Sequence, residues 1–150
     1  MPEYLETTVD KFFFKVAKDR YYNTTGIWAQ ASSGNLVRIG LSDYLQQRSG
    51  DIAFVDVKPS GTVLAVEDEV ASIETIKVNV TLPSPVAGKV VRVNPEMGTV
   101  PEKINQDPFG EGWLCEIDAS DWETDRAGLL DAPAYFAHMK QEAEEEAKKL

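Results

Sequence analysis

A chain of 150 residues suits one domain and is long enough to bury a core of its own. With 15 basic against 25 acidic side chains, the formal charge is −10; that argues against non-specific attraction to nucleic acid or anionic lipid and favours partners with basic docking surfaces. No apolar run approaches the roughly 18 residues of a membrane span and no signal-peptide pattern opens the chain, so a cytoplasmic protein with no membrane partner is expected.

In chain order, Met1 to Thr8 carries no periodicity and is expected to be a loose start. Phe12, Phe13, Phe14 and Val16 form a β-prone run, broken over Ala17 to Thr25, and Ile27 to Ala31 resumes as strand; the two runs are expected to pair as an opening hairpin. Leu36 to Leu41 reads as strand. Ser42 is then placed to N-cap a short helix over Asp43 to Arg48, which Gly50 would end with a positive φ. Ile52 to Val57 follows as strand, and Lys58-Pro59-Ser60-Gly61 turns the chain.

The stretch from Glu69 to Leu82 organises the rest. Val78, Val80 and Leu82 alternate with Asn79 and Thr81, the period of a half-buried strand, and Val70 to Ile73 is β-prone as well. Glu74 to Lys77 then connects two strands, and the absence of an Asn-Gly or Asp-Gly pair points to a four-residue turn with Lys77 at its tip. Lys77 is the only cation between Lys58 and Lys89. On spacing alone it reads as a solvated surface lysine.

Further on, Asn94 to Met97 turns, and Asn105 to Gly112 is dense in turn residues leading into a strand over Trp113 to Ile117. Cys115 lies inside that strand and reads as a buried packing thiol; a lone cysteine also rules out an intrachain disulfide, which fits a reducing compartment. Asp131 is placed to N-cap a C-terminal helix with Pro133 in its first turn. Tyr135, Met139, Ala143 and Ala147 would form its apolar face, and Glu144 to Lys148 and Glu145 to Lys149 its i,i+4 pairs. The crowd of Glu142, Glu144, Glu145 and Glu146 reads as a solvated face.

Little here would make an enzyme. His138, the one histidine, falls in the tail helix with nothing linking it to Cys115, so neither a Cys/His nucleophile nor a zinc site is expected, and there is no Walker A or Gly-x-Gly-x-x-Gly loop.

Three stretches resemble the H protein of the glycine cleavage system, a family of lipoyl carriers. They are Val37-Arg38-Ile39-Gly40-Leu41-Ser42-Asp43-Tyr44 with the helix it opens, Glu74-Thr75-Ile76-Lys77 followed by Pro83-Ser84-Pro85-Val86-Ala87-Gly88, and Asp107 to Leu114. The resemblance spans roughly Leu36 to Ala134. It implies a mainly β fold, the flattened lipoyl or biotinyl-type sandwich (a barrel-sandwich hybrid), with the short helix near 42–49 and the C-terminal helix. It also implies one H-like lipoyl domain over 1–150, carrying an N-terminal β extension over about 10–35 and the helix over about 132–149. A short echo agrees: Pro59-Ser60-Gly61-Thr62-Val63 and Pro85-Val86-Ala87-Gly88-Lys89-Val90 each run from proline through glycine into a strand.

The resemblance puts Lys77 on the lipoylated position, with lipoate as a covalent amide and Glu74, Thr75, Ile76 and Val78 as the surface read by a lipoate ligase or lipoyl synthesis enzymes. The expected product is a non-catalytic carrier whose swinging arm shuttles a bound group between enzymes, with no metal. The chain departs from the family in three places. Asp19-Arg20-Tyr21-Tyr22 and Gly26-Ile27-Trp28 stand near where H proteins carry His-Glu-Trp, Lys77-Val78-Asn79-Val80 where Lys-Ala-Ala-Ser is commoner, and the acidic tail runs long. These departures favour an H-like lipoate-binding protein of sulfur oxidation, serving a heterodisulfide-reductase-like complex. The alternative is a conventional H protein serving the glycine cleavage enzymes, namely the decarboxylating dehydrogenase, the aminomethyltransferase and dihydrolipoyl dehydrogenase. An unmodified scaffold is the remote alternative.

Overall fold

The computed structural model describes residues 3–149; Met1 and Pro2, the beginning of the expected loose start, lie outside the described residues. The rest of that start is not loose. β1 (Tyr4–Val9) pairs antiparallel with β2 (Phe12–Ala17) through a two-residue loop in which Asp10 takes the left-handed conformation, φ 57°. No Asp-Gly or Asn-Gly pair announces this loop, which is why the sequence hides the hairpin. The expected pairing of the Phe12 run with the Ile27 run does not form. β3 (Tyr21–Tyr22) pairs with β4 (Ile27–Ala31), which pairs in turn with β5 (Leu36–Leu41).

After β5 come α1 (Asp43–Ser49), β6 (Ile52–Val57), β7 (Val63–Leu64), β8 (Glu69–Thr75), β9 (Asn79–Pro83) and β10 (Gly88–Val93). A 3-10 turn (Pro95–Gly98), α2 (Lys103–Gln106), β11 (Cys115–Ala119), α3 (Trp122–Ala127) and α4 (Ala132–Lys148) complete the chain. The six-stranded sheet runs β3-β4-β5-β11-β10-β7, and a three-stranded sheet runs β6-β8-β9. Between them lies one core, to which the first contributes Val37, Ile39, Val90 and Ile117 and the second Ala71, Ile73 and Leu82, all essentially excluded from solvent. This is the mainly β flattened sandwich that the resemblance implies. Both predicted caps hold: Ser42 Oγ accepts from Leu45 N at 3.2 Å, and Asp131 Oδ1 accepts from Ala134 N at 2.9 Å.

A second core covers the other face of the larger sheet. Along β4, Ile27 and Ala29 enter the main core while Trp28 faces the opposite way, so a strand with period-2 geometry is buried on both sides. Trp28 shares this core with Tyr22, Phe109, Trp113, Tyr135 and Met139, and the rings of Tyr22 and Tyr135 stack 4.4 Å apart. The predicted face of α4 is the one that packs here: Tyr135, Met139 and Ala143 are buried and Ala147 half-buried. The predicted i,i+4 pairs of α4 do not form. Instead Glu142 and Glu146 reach Arg48 of α1 at 3.7 and 3.8 Å, so part of the acidic face is turned to a neighbouring helix. Exposed pairs of this kind contribute little energy but orient the two helices.

Candidate functional site

The β8–β9 hairpin projects from the three-stranded sheet, held at its base by the buried side chains of Ile73 and Leu82 and paired as far as Glu74↔Asn79. Its turn is the four residues Thr75-Ile76-Lys77-Val78, one residue later than the sequence suggests. Thr75 makes the difference: its N–H donates to Val78 O at 2.9 Å, and its Oγ1 accepts from Lys77 N at 3.2 Å and Val78 N at 3.1 Å. A threonine hydroxyl that gathers two successive amides closes the turn without any glycine.

All five predicted site residues come together at this tip. Glu74 is the last residue of β8 paired with β9 and is exposed, Ile76 is 96% exposed, and Lys77 and Val78 are also exposed. Phe54, 68% exposed and opposite Glu74, is an addition that the sequence did not single out. A bulge between Ile52 and Phe54 shifts the pleat of β6, so that Ile52, Val55 and Val57 turn inward and Phe54 faces water. An apolar ring left out at the hairpin end of the sheet suits contact with another macromolecule.

Beneath the hairpin lies the corner between α1 and β6. Gly50 ends α1 with φ 93° and ψ −168°, a conformation reserved to glycine, and the stem of Lys77 passes over it. Asn105 pins this corner: its Nδ2 donates to Gly50 O and Gln46 Oε1, both at 3.0 Å, and its Oδ1 accepts from Ile52 N at 2.9 Å. The turn-rich stretch that follows has a comparable structural task. Pro108 O accepts from the indole of Trp28, and Phe109 O accepts from Arg20, whose guanidinium is buried and stacked 4.6 Å over the Trp28 ring. Sequence reading missed Arg20 altogether, since an arginine beside two tyrosines carries no local sign of burial.

The remaining candidates are structural. Cys115 is fully buried in β11, and burial, helped by the neighbouring Glu116 carboxylate, pushes its thiol up to about 12, away from the reactive thiolate. His138 is half-exposed, 3.1 Å from Glu142 and 3.2 Å from Thr24 O, tying α4 to the β3–β4 loop. Where the resemblance expects His-Glu-Trp, Gly26 has φ 106°, and a Cβ there would stand 2.8 Å from Tyr135 Oη. Ile27 is fully buried. Neither Gly26 nor Ile27 supplies an imidazole or a carboxylate here; the ones at this edge are His138 and Glu142 of α4.

A primary amine on an exposed turn anchored by its own backbone fits amide attachment of lipoate. Among the described residues no carboxylate pairs with Lys77. Among the described residues, too, no helix is long and apolar enough to cross a membrane.

Comparison with known proteins agrees with this geometry. The family model for the glycine cleavage H-protein matches residues 20–142. A glycine cleavage system H protein of Thermus thermophilus is 38% identical over 128 residues, covering 85% of this chain and 98% of that protein. A probable glycine cleavage system H protein of Natronomonas pharaonis is 40% identical over 126 residues, covering 84% and 98%. The crystal structure of a glycine cleavage system H protein from Mycobacterium marinum superposes with a TM-score of 0.72 at 26% identity, over 80% of this chain and 95% of that one. The chain therefore belongs to the glycine cleavage H-protein family, non-catalytic carriers that bear lipoate as an amide on a lysine.

Proposed function

We propose that Lys77 is the lysine that bears lipoate, and that Glu74, Ile76 and Val78 form the surface read by the lipoate ligase or lipoyl synthesis enzymes, with Thr75 holding the turn in shape. The observation that carries this reading is the position of Lys77, on an exposed turn at the projecting end of an anchored hairpin, within the part of the chain that the family model matches. The protein then acts as a single lipoyl domain whose N-terminal β extension and C-terminal helix form the second layer. Its one thiol, buried, suits a reducing cytoplasm.

When bound, lipoate supplies a dithiolane that takes up a group at one enzyme and releases it at another. The chain's own part is to hold the arm's root rigid, to keep it exposed, and to present it beside Ile76, Val78 and Phe54 for docking. Tethering of this kind raises the effective concentration of the arm at each active site it enters. The relatives named above favour the glycine cleavage enzymes as partners, with the decarboxylating dehydrogenase, the aminomethyltransferase and dihydrolipoyl dehydrogenase visited in turn.

A second reading, a carrier of sulfur for a heterodisulfide-reductase-like complex, draws support from one feature. Gly26-Ile27-Trp28 takes the place where the resemblance expects His-Glu-Trp, and with Gly26 lacking a side chain and Ile27 and Trp28 buried, these three residues offer no carboxylate to a cationic aminomethyl group.

Intact mass after treatment with lipoate and a lipoate ligase tests the attachment. A single lipoyl increment, absent from Lys77→Ala, is expected, and an unchanged mass would return Lys77 to the status of an ordinary surface residue on a scaffold. The lipoylated protein should then support glycine decarboxylation by the purified dehydrogenase well above the unlipoylated control. Failure there, with persulfide sulfur accepted by the reduced arm, selects the sulfur reading.

A further inference from the structure

A groove of about 290 Å³ lies between the β1–β2 hairpin, α1 and the end of α4, and Lys77 is part of its wall. The remaining wall is mostly apolar: Val9, Phe12 and Phe14 from the hairpin, Tyr44 from α1, and Ala143 and Ala147 from α4. Five of these six lie outside residues 20–142, so the groove is made by the segments that this chain adds to the part matched by the family model. Two of its features are unfavourable in the protein alone. Phe12, near the hairpin tip, leaves 51% of its surface in water although its ring stacks beside the buried Phe14. Tyr44 is only 5% exposed, yet its hydroxyl has no hydrogen-bond partner, the one such buried side-chain atom among the described residues. A half-open aromatic ring and an unpaired buried hydroxyl on one groove are what a protein partner completes.

We infer that this groove is a docking site for the enzyme that attaches lipoate, taking an apolar side chain of that enzyme while the Tyr44 hydroxyl donates to a carbonyl oxygen of the same segment. This rests on Lys77 being the attachment site. Position selects the attaching enzyme over the others that meet the arm. Attachment acts on Nζ of Lys77, so the active site must close on the lysine itself, and the surface around that active site then meets the groove wall of which Lys77 is part. Enzymes that use the finished arm work at its dithiolane, at the far end of a flexible tether, and reach it without touching the groove. Ile76, 96% exposed, and Val78 flank the lysine on the turn, so the apolar groove continues into the surface assigned above to recognition. The contact is made before the arm exists. Because its lining comes from added segments, the groove lets the attaching enzyme tell this chain from carriers without the β1–β2 hairpin.

The test measures lipoyl transfer by a purified lipoate ligase at varied carrier concentration, for wild type and three variants. Ala147→Trp fills the groove from a half-buried position, Phe12→Ser removes the half-exposed ring, and Tyr44→Phe removes one oxygen. The first two should raise the KM for the carrier about tenfold with kcat nearly unchanged. Tyr44→Phe should raise KM about threefold and yet raise the Tm of the free protein, since no buried hydroxyl is then left unpaired. Acylation of Lys77 by a small N-hydroxysuccinimide ester, followed by mass, should proceed equally in all four proteins, which separates lost docking from a disturbed turn. Wild-type KM values in the folded variants overturn the docking site and leave the attachment intact. A change in KM matched by a change in acylation overturns it too, by placing the defect in the turn. Unchanged transfer with slower reduction of the finished arm by dihydrolipoyl dehydrogenase assigns the groove to a later enzyme and again overturns it. No lipoyl increment on wild type overturns both docking and attachment.

Discussion

A Cβ on Gly50 would stand 3.0 Å from Cε of Lys77, which makes the end of one helix the floor beneath a lysine 27 positions further along the chain. With φ 93° and ψ −168°, Gly50 also occupies a backbone region that other residues enter only under strain. Gly50→Ala should therefore lower stability by about 1–3 kcal/mol in urea denaturation. It should slow lipoylation of the folded protein as well, because the stem of Lys77 must leave its path. A variant as stable and as readily modified as wild type would mean that the corner has no bearing on the arm.

Thr75 holds the turn through its hydroxyl, so Thr75→Val, which keeps the shape and deletes the oxygen, isolates that role. Two amides lose their acceptor at an exposed site, and about 1 kcal/mol of stability should go with them. The larger effect should fall on modification, with a severalfold lower initial rate of lipoyl transfer, because the ligase meets a disordered turn. Thr75→Ser should restore both. If Val keeps the wild-type stability and rate while Ser loses them, the methyl group and not the hydroxyl is what matters at this position.

Local chemistry made much of this legible. The caps at Ser42 and Asp131, the alternation of β9 and the four-residue spacing on α4 each depend on neighbours a few positions away, and each is found where the pattern puts it. The turn at Lys77 was displaced by one residue because its closing group is a side-chain hydroxyl, which no dipeptide motif advertises. What stayed hidden was long-range. β1 has no pattern of its own because its partner β2 and the second core supply its order. Arg20 looks like a surface residue until Trp28 and Phe109 enclose it. Phe54 faces water because of a bulge, and a bulge inverts every expectation drawn from alternation.

Alkaline pH should unfold the protein through its buried acids. The pKa of Cys115 is raised from 9.0 to about 12, chiefly by desolvation, and burial likewise drives Tyr22 and Tyr135 well above their ordinary range. Each holds its proton more tightly folded than unfolded. Their stabilisation is therefore complete below the unfolded pKa values, near 9 for the thiol, and is lost as pH rises through them. Above pH 9, Cys115 alone should remove about 1.4 kcal/mol of stability per pH unit until about pH 12. Urea midpoints measured from pH 8 to 11 should fall with at least that slope. Cys115→Ala, less stable at pH 8 through the small cavity it leaves, should show a shallower decline.

Gly26 and Tyr135 meet where the β3–β4 loop passes against α4, and their coupling is measurable. A Cβ on Gly26 would lie 2.8 Å from Tyr135 Oη and 3.0 Å from Ser42 Oγ, on a backbone with φ 106°. Gly26→Ala should therefore cost roughly 2–4 kcal/mol, part from the positive φ and part from overpacking. Tyr135→Phe alone should cost about 1 kcal/mol through loss of its 2.9 Å hydrogen bond with Ser42. In the double variant the deleted oxygen is the atom that the new methyl group would strike, so the two losses should sum to less than their separate values by about 1 kcal/mol. Strict additivity would assign the penalty at Gly26 to its backbone conformation and to Ser42 and Leu45, and Tyr135 of the C-terminal helix would then not be what crowds that position.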